Sequence, residues 1–251
     1  GTTCRIELLV NVRDRFYILD YYELEIEAER EIKAIRNEEE YREIQPYGEY
    51  VVVNDLDFSG ASGGQWRFGT VNLYWEGKLD FNGHTIIRDT INSSTSIFHT
   101  IGENGVLENL VLDLRLNNTK PLNDIYGLFT YNYGTIRNMQ LNLTESIMNE
   151  NRTVSLLGYL NYGIIDNFVI NLEKPIYGST QIAAGVYSNR GTIQNGYVYG
   201  KNIEAIYPLA QGQYRDIGII SVHNLNMGNI RNVYSLVSIN TINQEEVINH
   251  L

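Results

Sequence analysis

The chain holds four histidines, His84, His99, His223 and His250, and no two of them lie four residues apart. A zinc hydrolase of the His-Glu-x-x-His kind needs that spacing, because ligands at i and i+4 share one helical face beside the glutamate that activates water. Neither a Gly-x-Ser-x-Gly elbow nor a Gly-Asp-Ser-Gly nucleophile loop is present. Carboxylates are the remaining candidates for bond cleavage. Asp55, Asp57 and Asp80 fall ahead of the later repeats, where acids on adjacent turns of chain could reach the ~5 Å or ~6.5–9.5 Å separation that glycoside hydrolysis uses. The later part of the chain offers few acids to join them, and these three read first as structural residues. No catalytic residue and no metal ligand is assigned, and no cofactor is expected in this segment.

Tyrosine is the stronger signal for function. There are 19, against 7 Phe and 2 Trp. Tyr131, Tyr133, Tyr159, Tyr162, Tyr187, Tyr197, Tyr199 and Tyr234 recur at comparable places along the chain. Tyrosine suits recognition because it offers a broad apolar ring and a polar tip at low entropic cost. We take Tyr131, Tyr133, Tyr159, Tyr162, Tyr187, Tyr207 and Tyr214 as candidate binding residues, the alternative being that such rings only cover corners of the fold. Tyr207 and Tyr214 belong to Gly200–Arg215, the longest interruption of the pattern described next, and insertions of that kind often bind.

The elements that must position these rings are spelled by a repeated phrase, Gly-x-(Leu/Ile)-x-Asn. It occurs at Gly105–Asn109, Gly134–Asn138, Gly163–Asn167, Gly191–Asn195 and Gly228–Asn232, with successive glycines 29, 29, 28 and 37 residues apart. After each Asn the apolar residues alternate, as in Leu110, Leu112, Leu114 and Leu116, or Met139, Leu141 and Leu143. Period two means strand. A second phrase, apolar-Gly-apolar-apolar, precedes it at Tyr126–Phe129, Leu157–Leu160, Ala184–Tyr187 and Ile217–Ile220. Each repeat therefore reads as three short strands. Stacked in register, with coils about 4.8 Å apart, they place Leu107, Ile136, Ile165, Ile193 and Ile230 above one another inside. The expected fold is all-β: a right-handed parallel β-helix, a solenoid of about 28–29 residues per coil. The five Asn form a corner column of amides bonded from coil to coil, and the five Gly share those corners through positive φ and close backbone approach. All ten are expected to be architectural.

The formal net charge is −11, which argues against nucleic acid, since phosphate binding needs a basic surface. Residues 23–43 alone carry nine glutamates against four basic residues. That run reads as a solvated face and lacks the spacing of a calcium loop. No apolar run reaches the ~20 residues of a membrane span, and Cys4 has no partner for an internal disulfide. Residues 1–30 alternate as a β-hairpin, a unit of its own or the remnant of a preceding domain, and Gly1 opening on strand-like sequence suggests a segment of a larger protein. Asn37-Glu-Glu-Glu40 has the make-up of a helix N-terminus. A short helix there, ended by Pro46-Tyr-Gly48, would cap the open end of a solenoid occupying 31–251.

Two further stretches are distinctive: Asn54-Asp-Leu-Asp-Phe-Ser-Gly60 and Gly77-Lys-Leu-Asp-Phe-Asn-Gly-His-Thr-Ile86. Together with the capping helix and the Gly-Leu-Phe…Gly-x-Ile-x-Asn repeats, they resemble the GLUG-motif β-helix of bacterial surface proteins over about residues 31–240. In that module Asp55 and Asp57 fill turn positions. Such modules include the N-terminal region of streptococcal immunoglobulin A1 proteases and related zinc metallopeptidases. The resemblance implies an extracellular, cell-surface location and a non-catalytic scaffold or substrate-recognition role within a larger protein of the zinc metallopeptidase kind. It also implies as partner a host protein such as immunoglobulin, or a glycan, without membrane insertion here. A family His-Glu-x-x-His cannot be carried over to this chain. Two other classes stay open at this point: a carbohydrate-active β-helix lyase or hydrolase, and an adhesin or fibre segment. The tail Ile239–Leu251 ends without a clear cap, so either it folds over the last coil or more coils follow.

Overall fold

The computed structural model describes residues 2–12, 15–26, 31–59, 74–88, 96–115, 124–149, 152–178, 180–207 and 216–243, with backbone alone for 2–12, 15–26, Asn149, Tyr207 and Asn243. It divides into two units, Gly1–Ile32 and Lys33–Leu251. The first is the expected hairpin: Thr2–Val12 pairs antiparallel with Arg15–Ile26, with one register shift at Leu8/Leu9.

The second unit is a parallel β-helix. Among the described residues, a complete coil has four faces where the sequence suggested three strands. Face one is a nine-residue strand, seen at Val106–Leu114, Thr135–Leu143, Ile164–Leu172 and Thr192–Gly200. Face two is Ile147–Asn149, Ile176–Gly178, Ile203–Tyr207 and Ile239–Asn243. Face three is Ile125–Tyr126, Thr153–Ser155, Gln181–Ala183 and Asp216–Gly218. Face four is Phe98–Ile101, Phe129–Asn132, Gly158–Asn161, Val186–Asn189 and Ser221–Asn224. The strands of faces two and three lacked signal because each is only two to five residues long, too short for alternation to show.

Register follows the repeated phrase. Leu107 pairs with Ile136, Ile136 with Ile165, Ile165 with Ile193 and Ile193 with Ile230. The first four are fully buried or nearly so, and Ile230 packs partly buried on the same core. The second phrase does not stack glycine on glycine: Phe129 pairs with Gly158, and Gly158 with Val186. Gly158 there makes room for the Phe129 ring.

At the N-terminal end of this unit, the helix Glu38–Arg42 is capped by Asn37, whose side chain accepts from the backbone N–H of Glu39 and Glu40. The Glu40 carboxylate reaches back to the Arg36 N–H. Tyr41 and Ile44 are buried in the same core as Ile35 and Val52, so the helix covers the first coil's apolar end.

The corner glycines and asparagines divide their labour differently from expectation. Positive φ belongs to the asparagines: Asn109, Asn138, Asn167, Asn195 and Asn232 lie between 52° and 57°. Asn is one of the few side chains that visits this region readily, and the left-handed residue folds the nine-residue strand at its middle. Gly105, Gly134, Gly163, Gly191 and Gly228 do not have positive φ. They are required for close approach: a Cβ on Gly134 would strike the Gly105 carbonyl, one on Gly163 that of Gly134, and one on Gly191 that of Gly163.

Candidate functional site

Amide columns hold the coils beside the aromatic surface. At the outer corner Asn138 donates to Asn109 (3.0 Å) and Asn167 to Asn138 (2.9 Å). Asn195 turns instead to the Asp166 carboxylate (2.7 Å), the stronger acceptor, and Asn232 resumes the column on Asn195. A second column went unread in the sequence. Asn132 donates to Asn161 (2.7 Å), Asn161 to Asn189 (2.8 Å) and Asn189 to Asn224 (2.9 Å). The first three side chains are completely buried. Its signal was present as Asn two residues before three of the corner glycines, in Asn132-Tyr-Gly134, Asn161-Tyr-Gly163 and Asn189-Arg-Gly191. It starts at Asn132 because the coil before places Ile101 in that register.

Between these columns and face three lies a strip of rings. His99 packs on Tyr131 (centroids 5.5 Å), Tyr131 on Tyr159 (6.5 Å), Tyr159 on Tyr187 (5.0 Å, nearly parallel), and Tyr187 on His223 (5.1 Å, edge-on). Tyr126 joins from face three, 4.9 Å from Tyr159. Outward side chains of neighbouring faces meet here, so the corner is re-entrant. Ser155 and Ala183, opposite in orientation to core Val154 and Ile182, are nonetheless fully buried at its floor.

A polar row runs alongside on face three. Thr153, Gln181 and Asp216 are in register. The Tyr126 hydroxyl donates to Asp124, whose other oxygen accepts from the Thr153 N–H. Thr153 donates to Gln181, and the Gln181 amide donates to the Tyr187 hydroxyl at 3.1 Å. His223 Nε2 stands 3.9 Å from Asp216. Burial first, then the neighbouring ring and carboxylates, push the Tyr159 and Tyr187 hydroxyls up. Both stay protonated donors at neutral pH.

The candidate residues thus separate into two groups and a remainder. Tyr131, Tyr159 and Tyr187 form the strip. Tyr133 and Tyr162 form a second, more exposed stack at the face four–face one corner (4.9 Å, 6°), continued by the Arg190 guanidinium 5.7 Å over Tyr162. Tyr207 sits in a face-two strand of the solenoid, so part of the supposed insertion is regular structure. Tyr214 lies outside the described residues, as do 208–215. His99, Tyr126 and His223 were not taken as binding residues from the sequence, since Tyr126 read as the apolar start of the phrase Tyr126–Phe129 and the two histidines carry no spacing signal.

The carboxylates considered for cleavage are held by the scaffold. Asp55 accepts from the Thr85 N–H (2.8 Å) and lies 3.2 Å from His84. The Thr85 bond, outweighing slight desolvation and helped by His84, holds its carboxyl below the usual range. Asp57 caps Ser59, and Asp80 accepts from the Asn82 N–H and the Asn109 amide. Glu108 is buried between Lys78 (2.6 Å) and Arg137, whose Nε donates at 2.7 Å. Burial pushes its carboxyl up, but these two cations outweigh that and hold it low. Among the described residues no three His, Cys, Asp or Glu are grouped as a metal site, and no helix is long and apolar enough to cross a membrane.

Comparison with protein-family models, with curated proteins and with solved structures finds no match in any of the three. The class that the fold defines is a parallel β-helix.

Proposed function

We propose that this chain is a non-catalytic scaffold and recognition module of a larger extracellular protein of a bacterial surface, the role implied by its resemblance to GLUG-motif β-helices. A parent of the immunoglobulin A1 protease type would carry its zinc and its peptide-bond chemistry elsewhere. The observation that carries the reading is the strip His99–Tyr131–Tyr159–Tyr187–His223. It spans five successive coils, roughly 19 Å at the strand spacing. Tyr159 and Tyr187 lie nearly parallel while the other pairs meet tilted or edge-on, so the strip is a row of mixed ring faces and edges beside Asp124, Gln181 and Asp216. Rigid rings bordered by carboxylate and amide groups suit a hydroxyl-rich ligand, either a glycan or the glycan-bearing surface of a host protein. Asp55, Asp57, Asp80 and Glu108 are committed to backbone hydrogen bonds, amides and ion pairs, which favours binding over cleavage.

The test is an array of glycans and host glycoproteins probed with the full chain. Binding should fall at least tenfold in Tyr159→Ala/Tyr187→Ala, with the unfolding midpoint recorded alongside. Depolymerisation of a polysaccharide by the wild-type chain, abolished by a single carboxylate substitution, would overturn the reading in favour of an enzyme.

A further inference from the structure

The 37-residue interval between Gly191 and Gly228 places part of its surplus at the corner between faces four and one. There Leu225–Gly228 replaces the two-residue Arg190–Gly191 of the coil before. The enlarged corner bounds a recess of about 600 Å³ lined by Tyr162, Arg190, Leu225, Asn226 and Met227. That size falls within the range of small-molecule sites.

Three features of this recess are unusual for plain scaffold. Arg190 is exposed, its guanidinium lies over the Tyr162 ring, and among the described residues it has no carboxylate partner, in a chain whose formal net charge is −11. Met227 is 93% exposed. Its φ of 86° is a conformation that a long side chain adopts only under constraint from its surroundings. Beneath Arg190, the Tyr133–Tyr162 stack fixes the platform from which the guanidinium projects. Stacking on an aromatic face restricts a guanidinium while leaving its N–H groups available, which is the geometry that recognises a carboxylate through two parallel bonds. Asn226 adds an amide, and Leu225 with Met227 adds apolar surface against which a ring's C–H face can rest.

We propose that this recess binds an acidic monosaccharide, a uronic or sialic acid unit, with its carboxylate on Arg190 and its ring against Tyr162 and Met227. The inference rests on the recognition reading above and names one ligand unit for a position separate from the His99–His223 strip.

The experiment is saturation-transfer NMR and calorimetry on the full chain with methyl β-glucuronide and N-acetylneuraminic acid. Methyl β-glucoside and sodium acetate serve as neutral-sugar and bare-anion controls. The acidic sugars should bind at least tenfold more tightly than either control. Arg190→Ala should abolish the difference, Arg190→Lys should keep part of it, and Tyr159→Ala/Tyr187→Ala should leave it unchanged. Both Arg190 variants replace an exposed side chain, and circular dichroism with the unfolding midpoint verifies that they fold. Equal binding of glucoside and glucuronide, or glucuronide binding untouched in Arg190→Ala, overturns the proposal. Binding of acetate as strong as that of glucuronide also overturns it, reducing the recess to a simple anion site. If the acidic sugars fail while array binding by the strip persists, this inference falls alone; if both fail, the recognition reading falls with it.

Discussion

Two asparagines that each recur from coil to coil serve opposite needs. Asn138 is exposed, has a φ of 55°, and bonds its neighbours through amides open to water. Asn161 is fully buried, does not have positive φ, and bonds Asn132 and Asn189 where no water replaces a lost partner. Substitution should separate them. At position 138 glycine, which is free to keep positive φ, should cost less than alanine, by about 1 kcal/mol. At position 161 alanine should cost about 2–4 kcal/mol, because it strands two buried amide groups, and glycine should be no milder. Urea unfolding of the four variants measures both differences; a milder glycine at both positions would show that the buried column contributes little.

At the scale of the strand and its corner, the glycines act through space rather than through dihedral freedom. Gly163→Ala pushes a methyl group into the Gly134 carbonyl of the neighbouring coil, and overpacking of that kind should cost about 2–3 kcal/mol. Gly83 has a φ of 79° and nothing near its Cβ position, so Gly83→Ala should cost only about 1 kcal/mol. Thermal or urea midpoints rank the pair. The Lys78–Glu108–Arg137 bridge ties three coils of face one and gives the fold an acid sensitivity. Glu108 has its folded pKa below the ordinary glutamate value of 4.5. Its stabilisation is therefore fully present above that value and is lost as the pH falls through it toward the lowered one. Glu108→Gln should lose about 1–2 kcal/mol at pH 7, and its deficit against the wild type should shrink below pH 4.5, as urea unfolding at several pH values would show. The phrase Gly-x-(Leu/Ile)-x-Asn made face one legible because its strands are long and its Asn and Gly recur. Faces two and three were hidden: Ile147–Asn149 or Gln181–Ala183 is too short to show a period, and pairing in register, not local propensity, makes such segments strands. The tyrosines were visible as a surplus. Their partition into a strip and an Arg190-capped stack depends on which side chains of successive coils share a corner, and the glycines of the second phrase mislead there, because Phe129 meets Gly158 at the same 29-residue offset as Leu107 meets Ile136.

The whole second unit separates architecture from display. Inside, Leu, Ile and Phe columns and the buried Asn132–Asn161–Asn189 column fix the spacing of the coils. Outside, that spacing sets the pitch at which Tyr131, Tyr159 and Tyr187 stand. The last described coil differs from those before it: Ile217, Ile219, Ile220, Ile230 and Val233 are only partly buried, and Tyr234 and Leu236 are exposed. At the other end Tyr41 and Ile44 are themselves buried in the core. If the repeat phrase builds and the rings recognise, damage to each should register in a different assay. Binding to an array of glycans and glycoproteins should be read for three proteins: the wild type, Tyr159→Ala/Tyr187→Ala and Asn138→Gly/Asn167→Gly. The corner variant should bind as the wild type does while unfolding at lower urea, and the tyrosine variant should lose at least tenfold in binding. Full retention of binding by the tyrosine variant, or its loss in the corner variant while still folded, would contradict the assignment of recognition to the aromatic strip.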